Sequence, residues 1–301
     1  MKIAVIGLGK MGMQIADMLV SAKHSVVVFD EQAEQIDKAV AFGATGISDR
    51  NDLVQQFGDS LAVIWLMIPS EFVDSELGRL KELLPPKSII IDGGNSDYRK
   101  TRDRAKSLAT KSIQLVDVGT SGGILGRQNG FSLMVGGDGE AVKNLEPILK
   151  SLTQPNGAFE YFGPSGSGHY VKMVHNAIEY GMMQSLAEGY HLLHDGAYEN
   201  LNLASAGKVW QKGSIIASAL NELSAKSLEL NPELKSIDGY VAESGEARWA
   251  LETAEEFGID LPAIQSAMNV RLASQKGQTS FATKLLAAMR NAFGGHLINK
   301  K

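Results

Sequence analysis

Residues 2–12 read KIAVIGLGKMG, and their reading decides the fold. A short apolar, β-branched run leads straight into Gly7, Gly9 and Gly12, spaced GxGxxG, and a stretch of helical spacing, Met11–Ala22, follows. A strand that turns on glycine into a helix lets the backbone approach a pyrophosphate and offers it the helix's uncapped N–H groups. Alone the spacing is weak, because glycines that serve only a tight turn give the same pattern. The next strand-like run, SVVVFD at 25–30, ends on Asp30. That is about 20 residues on, where a carboxylate can accept from both ribose hydroxyls. Asp30 can equally N-cap a helix beginning at Glu31, and the two roles are compatible. A carboxylate there repels a 2′-phosphate, and neither Glu31 nor Gln32 is an arginine that could bind one, so NAD is expected over NADP.

Outward from this turn, LAVIWLM (61–67), SIIID (88–92), IQLVDV (113–118) and FSLMVG (131–136) read as further strands. Glu31–Phe42, Glu71–Leu84 and Asp97–Ala109 between them have helical spacing. Continuous apolar strands alternating with helices predict a mostly parallel sheet covered on both faces. GPSGSG at 163–168 interrupts this pattern, and after it come helical stretches only: Tyr170–Leu193, Leu203–Leu220, Ala242–Phe257, Pro262–Ser274 and Ala282–Arg290. The expected fold class is α/β: an N-terminal Rossmann-type, doubly wound NAD-binding domain over 1–164, then an all-α substrate-binding and oligomerisation domain over 165–301.

The chain has 301 residues, 44% of them hydrophobic, enough for two cores. A formal net charge of −5 argues against a generic nucleic-acid or anionic-membrane surface, so an anionic ligand needs a dedicated site. Cysteine is absent, which removes thiol nucleophiles and disulfides, and the six histidines form no HExxH, so no metal is expected. Met1 leads into the first strand with neither a charged leader nor a long apolar segment, and a cytoplasmic location is expected.

The run GHYVKMVHNAIEYGMMQ (168–184) carries Lys172, His175, Asn176, Glu179 and Tyr180. On a helix these fall within roughly 140° of one face. Val171, Met173, Val174, Ala177, Ile178 and Met182 occupy the other faces, so a buried helix with a polar stripe lining a reaction site is expected. A solvated face with a Lys172–Glu179 pair is the plainer alternative, but such faces are built from repeated Lys, Glu and Gln, not from His, Asn and Tyr. Two glycine-rich loops, DGGNSDY (92–98) and DVGTSGGILGRQNG (117–130), follow strands at the sheet end where ligands bind. Ser121, Gly122 and Gly123 could offer a hydroxyl and successive N–H groups to a carboxylate, and Asn95 could bridge cofactor and substrate. Ligand-free glycine turns would explain either loop.

GLGKMG, IIIDGGNSDY, DVGTSGGILG, GSGHYVKMVHNAIEYGMMQ and RNAFGGH together resemble the 6-phosphogluconate dehydrogenase family, in a short form with one helical half, and more broadly the β-hydroxyacid dehydrogenases. The likeness covers nearly the whole chain. It implies oxidative decarboxylation of 6-phospho-D-gluconate to ribulose 5-phosphate and CO2, with NAD as cofactor. By position it implies Lys172 as general base and Glu179 as the acid that completes decarboxylation. Gly7, Leu8, Gly9, Lys10, Met11, Gly12, Asp30, Met67 and Asn95 would hold the cofactor. Asn95, Ser121, Gly122, Gly123, His175 and Asn176 would hold the sugar acid, with Tyr180, Arg248, Arg271 and Arg290 around its phosphate and His296 as a further contact. In longer relatives the tail bearing Arg290 and His296 comes from the neighbouring subunit, so a homodimer or homotetramer with a shared site is implied.

The chain departs from the longer relatives at three places. Arg248 stands for their usual lysine, Ala250 for a phosphate-holding threonine, and Asp30-Glu31 for the Asn-Arg pair of NADP users. A lysine base must be neutral before reaction, which burial among apolar residues favours. A dehydrogenase of a smaller β-hydroxyacid such as 3-hydroxyisobutyrate would share the glycine turn and the lysine, but brings no phosphate for three arginines. A non-catalytic NAD-binding sensor is the alternative of another class, and an intact Lys172 and Glu179 count against it.

Overall fold

The computed structural model describes residues 1–299; Lys300 and Lys301, the end of the expected segment 165–301, lie outside the described residues. The chain forms two compact units, residues 1–173 and the remainder from Val174. Eight strands build one sheet in the first: β1 (Lys2–Ile6), β2 (Ser25–Phe29), β3 (Thr45–Gly46), β4 (Val63–Leu66), β5 (Ile89–Asp92), β6 (Gln114–Ser121), β7 (Ser132–Gly136) and β8 (Ala158–Gly163). Their order is β3-β2-β1-β4-β5-β6-β7-β8, parallel throughout except for β6 against β7. The order reverses between β1 and β4, the switch point at which an open α/β sheet receives its ligand. The glycine turn sits directly after β1.

Helices α1 (Lys10–Ser21), α2 (Ala33–Ala41), α3 (Leu53–Phe57), α4 (Ser70–Leu83), α5 (Tyr98–Ala109), α6 (Gly126–Asn129) and α7 (Gly139–Thr153) complete this unit. Alternate residues of β1 feed two cores, Ile3 and Val5 one, Ala4 and Ile6 the other. A sheet buried on both faces has no polar alternation, which is why its strands read as unbroken apolar runs. The short β3, α3 and α6 escape that signal, and so do β8 and α7. Most of β8 is exposed, and α7 contains Pro147.

The helix α8 (Ser167–Asp195) begins in the first unit and continues into the second. There it is followed by α9 (Leu203–Trp210), α10 (Ala219–Leu230), α11 (Glu246–Glu256), α12 (Pro262–Ser274) and α13 (Phe281–Gly294). The expected single helix Leu203–Leu220 is corrected to α9 and the start of α10, because the chain turns at Gly213 with φ of 78°. Met183, Tyr190, Leu228, Leu234, Leu285 and Met289 form the main helical core. The expectation that the apolar faces of α8 are buried also needs correction. Met173 and Ala177 are buried, whereas Val174, Ile178 and Met182, spaced four apart, are 37%, 52% and 46% exposed. Among the described residues no helix is long and apolar enough to cross a membrane.

Candidate active site

The glycine turn is shaped for close backbone approach. Gly7 has φ of 92°, and a Cβ there would lie 2.5 Å from the Met67 carbonyl oxygen. A Cβ on Gly12 would lie 1.9 Å from the Gly7 oxygen. Gly9, the N-cap of α1, has open space around it and contributes no side-chain cap, and no acidic residue stands in the first turn. Uncapped N–H groups at a helix start suit an anion. Asp30 accepts from Leu8 N at 2.6 Å through Oδ2 and from Gln32 N at 2.9 Å through Oδ1, tying the end of β2 to the glycine turn. The N-cap of α2 is Gln32, so Asp30 does not cap a helix starting at Glu31. A dinucleotide fits this cradle: Gly7, Leu8, Gly9, Lys10, Met11 and Gly12 would face its pyrophosphate and Asp30 its ribose, with Met67 packed beneath.

Two fully buried aspartates tie down the loop after β5 and the start of α8. Asp92, at the end of β5, accepts from Ser96 Oγ at 2.8 Å, Gly94 N at 3.2 Å and Arg104 Nη1 at 3.4 Å. It thereby pins the loop whose exposed apex is Asn95. Asp117, on β6, accepts from Gly166 N at 2.7 Å and His169 N at 2.9 Å. That anchors the start of α8. The His169 ring joins the two, with Nδ1 2.8 Å from Thr101 Oγ1 and Nε2 3.1 Å from the Asp92 carbonyl oxygen. One turn on, Lys172 is 7% exposed, and its Cβ lies so near Gly119 that a Cβ on the glycine would stand 2.3 Å away. Beyond β6, Ser121 leads into Gly122 and Gly123, with φ of 144° and 53°. Neither aspartate stands out from periodicity or motif spacing; a charged residue inside an apolar strand run is the available signal.

In the second unit the polar stripe of α8 meets α11 and α12. Asn176 Nδ2 donates to Glu246 Oε1 at 2.8 Å, and Asn176 Oδ1 lies 2.9 Å from His175 Nδ1. His175 Nδ1 is also 4.0 Å from Glu179 Oε2. The Tyr180 hydroxyl accepts from Ser244 N at 3.2 Å, and the Arg271 guanidinium carbon stands 3.2 Å above the Tyr180 ring. Arg271 is 1% exposed and Arg290 7%. Among the described residues Arg271 Nη1 has no hydrogen-bond partner, and its Nη2 lies 3.8 Å from the Met183 sulfur. Burial lowers the Arg271 pKa to about 10; the neighbouring Arg290 charge adds to this, and Tyr180, Glu179 and Glu246 oppose it. It stays a cation at neutral pH. Burial likewise lowers the Arg290 pKa, against the pull of Tyr180, Glu246 and Glu179.

The expected arginine trio therefore separates. Arg271 and Arg290 are buried together around Tyr180, while the Arg248 side chain is 53% exposed and paired with Glu243 at 2.9 Å. Arg290 is buried within its own chain's helical unit. The tail after it turns at Gly295, in left-handed conformation, with Asn291 Nδ2 donating to the His296 oxygen at 2.7 Å. Asn299 O accepts from Asp238 N at 3.2 Å. His296 is exposed, its ring edge-on to Phe293 at 6.2 Å. Glu246, buried beside this cluster with Oε2 unpartnered, escaped the sequence reading. A glutamate in the first turn of a helix looks like ordinary dipole compensation.

Residues 2–163 match the model of the NAD binding domain of 6-phosphogluconate dehydrogenase, and residues 168–292 that of the 6-phosphogluconate dehydrogenase C-terminal domain. The NAD(+)-dependent, decarboxylating 6-phosphogluconate dehydrogenase of Haloferax volcanii is 38% identical over 100% of this chain and 99% of its own. Among solved structures, the Plasmodium falciparum 6-phosphogluconate dehydrogenase superposes with a TM-score of 0.82 at 29% identity, over 92% of this chain and 62% of that one. The 3-hydroxyisobutyrate dehydrogenase of Salmonella typhimurium shares the fold, with a TM-score of 0.76 at 19% identity, over 95% of this chain and 98% of that one. With its sheet domain and its helical domain each matched, and a full-length relative at this identity, the chain belongs to the 6-phosphogluconate dehydrogenase family.

Proposed function

We propose that this dehydrogenase converts 6-phospho-D-gluconate to ribulose 5-phosphate and CO2, with NAD preferred over NADP. The observation that carries the reading is Arg271: a buried cation lying on Tyr180, with Nη1 unpartnered and a second buried arginine nearby. Two buried cations whose charges act on one another are unfavourable without an anion, and a dianionic phosphate is the ligand class that resolves this. A 3-hydroxyisobutyrate carries no such group.

Bound NAD would supply the acceptor for the hydride that leaves the substrate's β-carbon. Lys172 Nζ takes the hydroxyl proton from that carbon. The protonated amine then hydrogen-bonds the new carbonyl oxygen and returns its proton there as CO2 departs, leaving an enediol. Glu179 delivers a proton to the former α-carbon as Lys172 takes the enediol's hydroxyl proton back, leaving the ketone. Asn95, Ser121, Gly122 and Gly123 hold the carboxylate, and His175 and Asn176 the hydroxyls. The working form is proposed to be a homodimer or homotetramer.

The test is to supply purified protein with 6-phosphogluconate and either NAD or NADP, following reduced-cofactor absorbance together with CO2 release. Turnover with NAD and stoichiometric CO2 is expected. Reduction without CO2, or turnover of 3-hydroxyisobutyrate alone, would replace the reading with that of a simple β-hydroxyacid dehydrogenase.

A further inference from the structure

An arginine remote in sequence stands next to the end of β2. The Arg50 guanidinium carbon lies 4.2 Å from the centre of the Phe29 ring, the residue before Asp30. Its Nε donates to Glu76 Oε1 at 2.9 Å and its Nη2 to Glu31 Oε1 at 2.7 Å. The two acceptors differ in kind. The Glu76 side chain is 4% exposed and anchors the guanidinium from below, while the Glu31 side chain is 75% exposed and meets it from solvent. Arg79 Nη1 lies 3.7 Å from the other oxygen of Glu76. Glu31, Arg50 and Arg79 line one surface cleft.

We infer that Arg50 is a latent 2′-phosphate ligand held out of use by Glu31, so that Glu31, through Arg50, sets the cofactor preference. This rests on the reading that Asp30 faces the adenosine ribose. Asp30 is committed to two backbone N–H groups, of Leu8 and Gln32, neither of them the side chain at 31. Glu31 acts twice. Its charge opposes a 2′-phosphate, and its oxygen occupies Nη2 of a guanidinium already fixed beside that position. Phosphate recognition therefore needs no new arginine here, only release of the one present, which Glu76 keeps oriented.

Glu31→Gln alone is the test, read as binding of NADH and NADPH by fluorescence titration of the substrate-free protein. The wild type is expected to prefer NADH. Glu31→Gln should tighten NADPH by at least about threefold, the order expected of an exposed charge pair, and leave NADH within about twofold of wild type. Adding Arg50→Lys, which keeps a cation on Glu76 but loses the fork, should cancel most of that gain. An unchanged NADPH affinity in Glu31→Gln overturns the inference, as does a gain of equal size in the double variant, which would mean loss of repulsion alone. A wild type that prefers NADPH, or binds neither nucleotide, overturns the ribose reading and the inference with it. The variants' melting temperatures, measured alongside, separate lost binding from lost fold.

Discussion

Glu246 shows how one side chain can fix the chemistry of another it does not touch. A carboxylate only accepts, so the Asn176 amide must present its NH2 to Glu246 and its oxygen to His175, and His175 Nδ1 must carry a proton. The lone pair of the neutral imidazole is then on Nε2. Glu246→Gln lets the amide face either way, and long-range nitrogen–proton correlation spectra of His175 should change from one tautomer to a mixture, with turnover falling roughly tenfold or more. An unchanged tautomer would show that the relay does not orient the ring. Arg271→Met removes a charged donor from the proposed phosphate contact, worth roughly 1.5–3 kcal/mol. KM for 6-phosphogluconate should rise about ten- to a hundredfold, while KM for unphosphorylated gluconate stays put. Equal effects on both substrates would remove Arg271 from phosphate recognition. Of these residues the stripe on α8 was legible because its mixed side chains contradict a plain amphipathic helix. Arg271 and Arg290 were legible only through the family likeness, since a single arginine on a helix carries no mark of burial. Arg50 was not legible at all, because its meeting with Glu31 depends on the fold of the intervening chain.

Among the elements, the junction of β6 and α8 constrains Lys172 most tightly. Gly119 lets the helix lie against the strand, and Asp117 two residues earlier ties down the helix start. Gly119→Ala places a methyl group where the Lys172 Cβ already stands, so either strand or helix must shift. Overpacking of this kind costs about 1–3 kcal/mol, visible as a lowered melting temperature. The larger expected effect is on kcat, because a general base displaced by even a fraction of an ångström loses its line to the hydroxyl. A variant that is destabilised yet turns over normally would show that α8 can move without consequence. The strands were legible as far as burial made them apolar, and β8, mostly exposed, was missed for that reason. The break between α9 and α10 was missed because the apolar spacing of 203–220 continues through it, while the backbone leaves the helix over 211–218, with Gly213 at positive φ and Ser218 extended. Loop and cap geometry is set by such single residues, which periodicity averages away.

At the scale of the whole molecule, the stripe of Val174, Ile178 and Met182 exposed on α8 fits the proposed homodimer or homotetramer, since apolar residues in a row are costly to leave in water. How the site is divided between subunits then becomes a matter of where Arg290 works. The family likeness implied a neighbour's site, since in longer relatives the tail comes from the neighbouring subunit. The folded chain buries Arg290 beside its own Tyr180 and Arg271, and the tail returns to its own helical unit through the Asp238–Asn299 hydrogen bond. Distance along the chain could not distinguish these. Mixing inactive Lys172→Met with inactive Arg290→Ala, under conditions that exchange subunits, does. If dimers form and Arg290 acts within its own chain, each protomer of a heterodimer carries one lesion in its own site, and activity should stay at the level of the parents. If Arg290 serves the partner, random pairing makes about half the dimers mixed, each with one intact site, and activity should rise towards roughly a quarter of wild type. No recovery in verified heterodimers is the expected result; recovery near that quarter would return Arg290 to the neighbouring subunit.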